Sequence, residues 1–427
     1  MASALWIGAT GLMAASKQMD VIGNNLANTN TVGFKAGSTL FAAMLSQNLY
    51  SGSGNMQVGQ GVITRAIPTQ FEQGTMETTG NVLDLGIDGN GFFVVRDNAG
   101  AEYYTRAGSF RIDEKGNLVD NLSNYYVQGF NIYHGSPNPN QETNINFQSA
   151  QSDPNATTII RASANLRAQA YDPSNPAVFN VPQNIYDTLG GLNSLNLQFE
   201  QQDPTALISG GTWWICTPIV TNPDGGTYTS PSFPVEFDSN GQLVSPTAAV
   251  AMSFAPGSVG TPPTTPGTWP LPNGGTLAPI TWDISDAASK MTGFDAPSVI
   301  NSTGNDGYPS GTLQYIFVGK DGVISGAFTN GQRMDLAQIV LADFPDIHSL
   351  QKVGSYFIET MWSGQPIKNA PTTGTMGGIH SNSLEVSNTD VATEFINMIM
   401  AQKAYQANAR VITTSDQLLT ELMNIKR

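Results

Sequence analysis

Three histidines, His134, His348 and His380, are the residues of this 427-residue chain best suited to proton transfer or metal binding near neutral pH. They are scattered, with no second ligand at the spacing of a zinc set, so neither a metal centre nor a histidine-based hydrolase follows. The stretch DLGIDGNGFF, Asp84 to Phe93, sets Asp88, Gly89, Asn90 and Gly91 in a row, in the manner of a calcium loop or a glycine-rich phosphate loop. It lacks the glutamate that closes a calcium loop, and FFVV reads as strand where a phosphate loop needs a helix, so a tight turn is the reading. Adjacent tryptophans, Trp213 and Trp214, point to opposite faces of a strand, which places one in a core and argues against a flat two-ring sugar platform. The single cysteine, Cys216, cannot form an internal disulfide and reads as a small buried apolar group. The expectation is a chain with no catalytic residues, no metal and no cofactor.

Charge and composition narrow the class. Against 18 lysines and arginines stand 33 aspartates and glutamates, a net charge of -15, and clustered cations for a phosphate backbone are missing. Nucleic acid is therefore not a partner. Only 12% of residues are charged, and 44 glycines and 25 prolines make the chain rich in turns. The N-terminal MASALWIGATGLMAASK has no basic residue ahead of its apolar part and is interrupted by Gly8, Thr10 and Gly11, so no cleaved signal peptide is expected. No uncharged apolar run reaches the roughly 18 to 20 residues that span a bilayer, so membrane insertion is not expected either.

The elements that remain are two amphipathic ends around a β-rich middle. Leu5, Leu12, Met19 and Leu26 recur every seven residues, with Ala9, Ser16 and Gly23 between them, the seam of a helix from about Ala4 to Asn28. Near the other end Val391, Phe395, Met398, Gln402, Tyr405, Ala409, Ile412, Leu419 and Met423 follow a similar stripe, from about Asn388 to Ile425, with Ser387 and Asp390 as its S-x-x-D start signal. The two helices either pair with each other or pack separately on the middle; periodicity does not decide. NNLANTNTVGFK, Asn24 to Lys35, ends the first helix, because its amides and hydroxyls favour turns and Gly33 is free to turn left-handed. EVSNTD begins the second, and the two stretches read as a joint between helical ends and β body.

Between the ends, FRIDEKGNLV, VEFDSNGQLV and IFVGKDGVIS share one pattern: alternating apolar residues around a polar turn with glycine at the seventh place, Gly116, Gly241 and Gly322. Each predicts a hairpin. From about 151 to 302 the texture changes and includes the Pro/Gly-rich run Pro256 to Gly275, a surface loop. The domains expected are an N-terminal helix at 1–35, a linker at 36–69, an inner β domain split into 70–150 and 303–373, an outer β domain at 151–302 inserted in it, and a linker with the C-terminal helix at 374–427.

Both ends and part of the middle resemble one family. ASKQMDVIGNNLANTNTVGFK resembles the N-terminal signature of the bacterial flagellar rod and hook axial proteins, carried by Asn24, Asn25, Asn28, Thr31, Gly33, Phe34 and Lys35. LEVSNTDVATEFINMIMAQKAYQANARVITTSDQLLTELMNI is similar to their C-terminal signature, carried by Leu384, Glu385, Ser387, Asn388, Asp390, Gln402, Tyr405 and Asn408, although Thr389 stands where valine is usual. NIYDTLGGLNSLNLQFE resembles the inserted domain of the hook members, and the rod members lack such an insert. The distal rod protein is the nearest alternative within the family; an extracellular adhesin or carbohydrate-binding β protein is the alternative from another class. The resemblance implies an α+β, mainly β fold whose terminal helices pair as a coiled coil, with Leu5, Leu12, Met19, Leu26, Val391, Phe395, Met398, Tyr405, Ile412, Leu419 and Met423 at the core and subunit interface. It also implies a homopolymer forming the curved extracellular joint of the flagellum, exported by the flagellar type III apparatus. Its other implied partners are the distal rod protein, the hook cap protein and the hook-filament junction protein.

Overall fold

The computed structural model describes residues 2–45, 47–51, 54–132, 142–148, 150–203, 211–256, 269–284 and 289–425. It is mainly β with one long helix at each end, α1 over Ala2–Ala27 and α2 over Val391–Ile425. The chain divides into two compact units, residues 1–150, 315–326 and 333–427 in the first and 151–314 and 327–332 in the second.

In the first unit the two helices pair with each other. They meet through small side chains. A methyl group built on Gly8 would lie 3.0 Å from Ile412 Cγ1, and one on Gly11 would lie 2.7 Å from the Asn408 amide, so these glycines set the approach. Ala14, Ala15 and Ile22 continue the buried face of α1, and Ala401 and Ser415 that of α2. This face is turned from the expected leucine seam: Leu5, Leu12, Met19 and Leu26 are half-buried. Residues 36–69, expected as a linker, hold an antiparallel ribbon in which Leu40–Ala43 pairs with Val62–Ala66. Thr10 Oγ1 of α1 accepts from Val62 N at 3.4 Å.

The main sheet of this unit places Arg333–Ile339, Tyr126–Asn131, Phe92–Arg96, Glu102–Thr105 and Tyr356–Ile358 side by side. Phe92, Val94, Tyr104, Phe130, Val340, Phe344 and Phe357 form its core. The rings meet edge to face, as their quadrupoles favour: Phe92 with Phe357 at 5.6 Å and Tyr104 with Phe344 at 4.8 Å. Two short ladders then bring the returning chain back to the start of the unit: Leu85–Asp88 pairs antiparallel with Gly378–Ser381, and Met76–Thr78 with Ser383–Glu385. DLGIDGNGFF is thus strand, turn and strand, with Gly89 and Gly91 at positive φ where Gly377 and Leu341 crowd them.

The second unit carries two larger sheets with one shared core. In the larger, Leu192–Gln202 lies between Val178–Tyr186 and Trp213–Thr221, and Asn193, Leu195, Leu197, Phe199 and Gln201 all face inward. In the smaller, Ile159–Asn165 runs parallel to Ile280–Trp282 and antiparallel to Val299–Asn305. Ala162 and Trp282 of one sheet and Leu197, Phe199 and Trp214 of the other belong to the same apolar cluster. Trp214 is 1% exposed while Trp213 is only half-buried on the opposite face, and Cys216 is buried, its thiol pushed well above the usual range by burial. Most of the Pro/Gly-rich run, residues 257–268, and His134 lie outside the described residues.

The hairpins share one turn. Asp113 Oδ1 accepts from the N–H groups of Lys115 and Asn117, and Asp238 Oδ1 from those of Asn240 and Gln242. Gly116, Gly241 and Gly322 all adopt positive φ. Asp97 and Asp187 build the same turn, with Gly100 and Gly190 at the left-handed position.

Candidate functional site: the joint of the two chain ends

The joint starts where α1 runs out of main-chain donors for its last carbonyls. Asn28 Nδ2 donates to Asn24 O at 2.8 Å, Thr29 Oγ1 to Leu26 O at 2.8 Å and Thr31 Oγ1 to Asn28 Oδ1 at 3.1 Å. The polar run thereby satisfies the helix end locally. Gly33 follows with φ 67°, and its N–H donates to Glu385 O at 2.7 Å. A Cβ there would stand 2.5 Å from Ala107 N, so only glycine fits.

Lys35 and Glu385, one from each family signature, meet in the interior. Lys35 Nζ lies 2.6 Å from Glu385 Oε1, with both side chains 0% exposed. The ammonium also donates to Glu72 O at 2.7 Å. Gly74 N donates to Glu385 Oε1 at 2.9 Å, and Arg106 Nη1 approaches Oε2 at 3.5 Å. Burial holds Lys35 below the usual lysine range even with the carboxylate beside it, and acts on Arg106 in the same direction. The Arg106 guanidinium sits 5.2 Å over the Phe92 ring, which ties the joint to the aromatic core. Phe34 is capped in turn by Lys352, whose Nζ is 3.9 Å from the ring centre.

Two asparagines act as forks around this pair. Asn25, on the last turns of α1, accepts from Gly37 N at 2.9 Å and donates to Gly37 O at 2.8 Å and to Glu394 Oε1 of α2 at 2.9 Å. Asn388 accepts from Ala36 N at 2.8 Å and donates to Gln70 O at 2.9 Å and Glu72 O at 3.2 Å. With Asn388 so occupied, α2 begins at Val391 and not at Asn388 as the start signal suggested. Asp390 is its cap: Oδ1 accepts from Ala392 N at 3.0 Å and Oδ2 from Thr393 Oγ1 at 2.6 Å. Ser387 Oγ donates to Thr389 Oγ1 instead.

The joint thus gathers Asn25, Gly33, Phe34 and Lys35 with Leu384, Glu385 and Asn388, Leu384 contributing through the ladder to Met76–Thr78. Gln402, Tyr405 and Asn408 lie further along α2, with Gln402 exposed and Asn408 opposite Gly11. Of the stripe on α2, Met398, Tyr405, Ile412 and Leu419 are half-buried, and Val391, Phe395 and Met423 are exposed. Arg106, Lys352, Glu72 and Glu394 were not singled out from sequence. A lone arginine inside the strand-like YTRAGSF reads as solvent-facing although Arg106 is buried, and the backbone acceptor at Glu72 left no signal. His348 is exposed, and His380 lies 3.4 Å from Asp88 in an exposed pair. No group of three or more His, Cys, Asp or Glu fit to hold a metal occurs among the described residues. No helix among them is long and apolar enough to cross a membrane. With its ammonium buried and held by the Glu385 carboxylate and the Glu72 carbonyl, Lys35 fastens strands and helix ends.

Comparison with known proteins follows the same segments. Residues 5–35 match the family described as "Flagella basal body rod protein", and 380–425 match "Flagellar basal body rod FlgEFG protein C-terminal". Residues 86–160 match "Flagellar hook protein FlgE/F/G D1 domain" and 155–308 match "Flagellar basal body protein FlaE D2 domain". The flagellar hook protein FlgE of Escherichia coli strain K12 is 32% identical, over 98% of this chain and 98% of that one. The chain belongs to the flagellar hook protein family. The hook protein of Borreliella burgdorferi is 31% identical over 100% of both chains, and that of Salmonella typhimurium 32% over 98% of both. The crystal structure of Helicobacter pylori flagellar hook protein FlgE2 is similar at a TM-score of 0.45 and 15% identity, over 73% of this chain and all of that one. Membership of the hook protein family makes this chain a structural subunit of the flagellar hook.

Proposed function

We propose that copies of this chain polymerise through α1 and α2 into a curved, bendable tube outside the cell, which passes motor torque from rod to filament. The observation that carries this reading is the state of α2: Phe395, Ile396, Ile399, Met400, Val411 and Leu418 are exposed along a helix of 35 residues. A helix with this much apolar surface beyond its one paired face is covered by further helices, and identical chains supply them. Contacts between unlike faces of identical chains generate filaments where the rotation between neighbours does not close a ring. The half-buried Leu5, Leu12, Met19 and Leu26, with Met398, Tyr405 and Leu419, belong to the same core. Export through the type III apparatus without loss of the N-terminus keeps α1 intact for it. At its ends the tube meets the distal rod protein, the hook cap protein and the hook-filament junction protein.

Ile399→Asp tests the reading, because the residue is 56% exposed and its replacement leaves the β units folded. Electron microscopy of the purified variant is expected to show no tubes while its β-sheet circular dichroism matches the parent. Tubes of normal length from that variant overturn the proposal.

A further inference from the structure

Two of the most exposed large apolar side chains stand away from the helices. Met361 is 92% exposed and Trp362 81%, both on the turn Thr360–Ser363 of the first unit. This turn is firmly built. Thr360 N donates to Ser363 Oγ at 2.9 Å, Ser363 N donates to Thr360 Oγ1 at 3.2 Å, and Ser363 Oγ donates to Thr360 O at 2.9 Å. Thr360 Oγ1 fastens the turn to its neighbour by donating to Ser349 O at 2.8 Å, and Ser363 is fully buried beneath it. Gly364 follows at φ 77°, packed against Pro345. Nothing in the fold requires a methionine and a tryptophan at the two outward positions, since every bond that shapes the turn comes from Thr360, Ser363 and backbone.

A rigid aromatic side chain on a fixed turn loses little freedom on binding, and a neighbouring methionine adapts to the surface it meets; both are properties of an interface anchor. The same unit carries a receiving surface. Between α1, α2 and the ribbon lies a groove of about 370 Å³ lined by Ile7, Ala14, Phe41, Val62 and Ala404. Ile7 and Phe41 are left exposed there, as Trp362 is on the turn. Anchor and groove are both uncovered among the described residues, and the groove adjoins the helical faces through which copies are proposed to associate, so a second copy is the occupant these surfaces fit. We propose that Met361 and Trp362 of one copy dock in this groove of a neighbouring copy, adding a contact from the β body to the helical contacts of the polymer. The proposal rests on the polymer reading above.

The test compares the unmodified protein as monomer and as polymer. Brief peroxide treatment followed by mass spectrometry is expected to oxidise Met361 readily in the monomer and at least about tenfold more slowly in the polymer. Trp362→Ser and Phe41→Ala are each expected to raise the protein concentration at which polymer appears by about tenfold, the loss of one buried anchor. Made together they raise it little further, since both remove the same contact. Trp362→Phe restores most of the loss. Polymer in which Met361 oxidises as fast as in the monomer overturns the proposal and leaves the polymer reading standing. Additive effects of the two substitutions, or protection of Met361 only when another flagellar protein is added, also overturn it. Failure of the unmodified chain to polymerise overturns both readings.

Discussion

At the scale of single residues the Lys35–Glu385 pair decides most. A buried ion pair adds little over an apolar pair of the same volume, but removing one partner strands the other charge in a low-dielectric interior. Glu385→Ala abandons Lys35 and Arg106 together, so urea unfolding of the first unit should show a loss of roughly 3–5 kcal/mol. Lys35→Met combined with Glu385→Gln should cost less than the sum of the two single changes; strictly additive losses would mean that the residues do not act as a pair. Both residues were legible in sequence as members of terminal signatures. Their contact was not, because nothing local to GFK or to LEV says that a side chain more than three hundred positions away neutralises it. Arg106 was harder still, since a strand reading treats a single arginine as a solvent-facing residue.

Among the elements, α2 shows how a start signal is reinterpreted by its surroundings. S-x-x-D marked the right stretch, yet Asn388 is drawn into the β body and the cap falls to Asp390. The hydroxyl of Thr393, followed by the N–H of Ala392, holds the Asp390 carboxyl below the usual aspartate range. A depressed carboxyl pKa contributes stability that is present above the ordinary value of about 3.8 and lost as pH falls through the lower folded value. Helical circular dichroism of the parent should therefore drop relative to Asp390→Asn below about pH 3.8, where the amide keeps its cap and does not titrate. Equal curves for the two chains would remove Asp390 from that role. The face of α1 against α2 was less legible. Periodicity weighs bulk, and so it found Leu5, Leu12, Met19 and Leu26, whereas the helices approach through Gly8, Gly11 and Ala15, whose merit is having almost no side chain. Three hairpins were read because they resembled one another, two with Asp-x-x-Gly and one with Gly319 in place of the aspartate, and the equivalent turns at Asp97 and Asp187 were passed over because their flanks lack the shared apolar pattern.

For the whole molecule, a change of texture near residues 151 and 302 led to the expectation of one unit inserted in another. The second unit nevertheless continues to 314 and includes 327–332. Asn155 and Tyr308 exchange both backbone hydrogen bonds at 3.0 Å, and Asn330 Nδ2 donates to Ser152 Oγ at 3.0 Å, contacts that composition does not announce. That exchange sets the entry and exit of the unit side by side, so residues 156–307 can be replaced by a short glycine link. The shortened chain should still polymerise, with altered curvature or stiffness in electron micrographs. If it forms no tubes, the outer unit has a part in assembly itself. The joint adds a different property. Its buried carboxylate arrives only with the last tenth of the polypeptide, while Lys35, Arg106 and the backbone of Glu72 and Gly74 are already waiting for it. A chain cut short before Glu385 leaves two cations sealed in with no counter-charge, so the first unit cannot close around an unfinished product. Closure of the first unit is thereby made conditional on the late segment that carries Glu385.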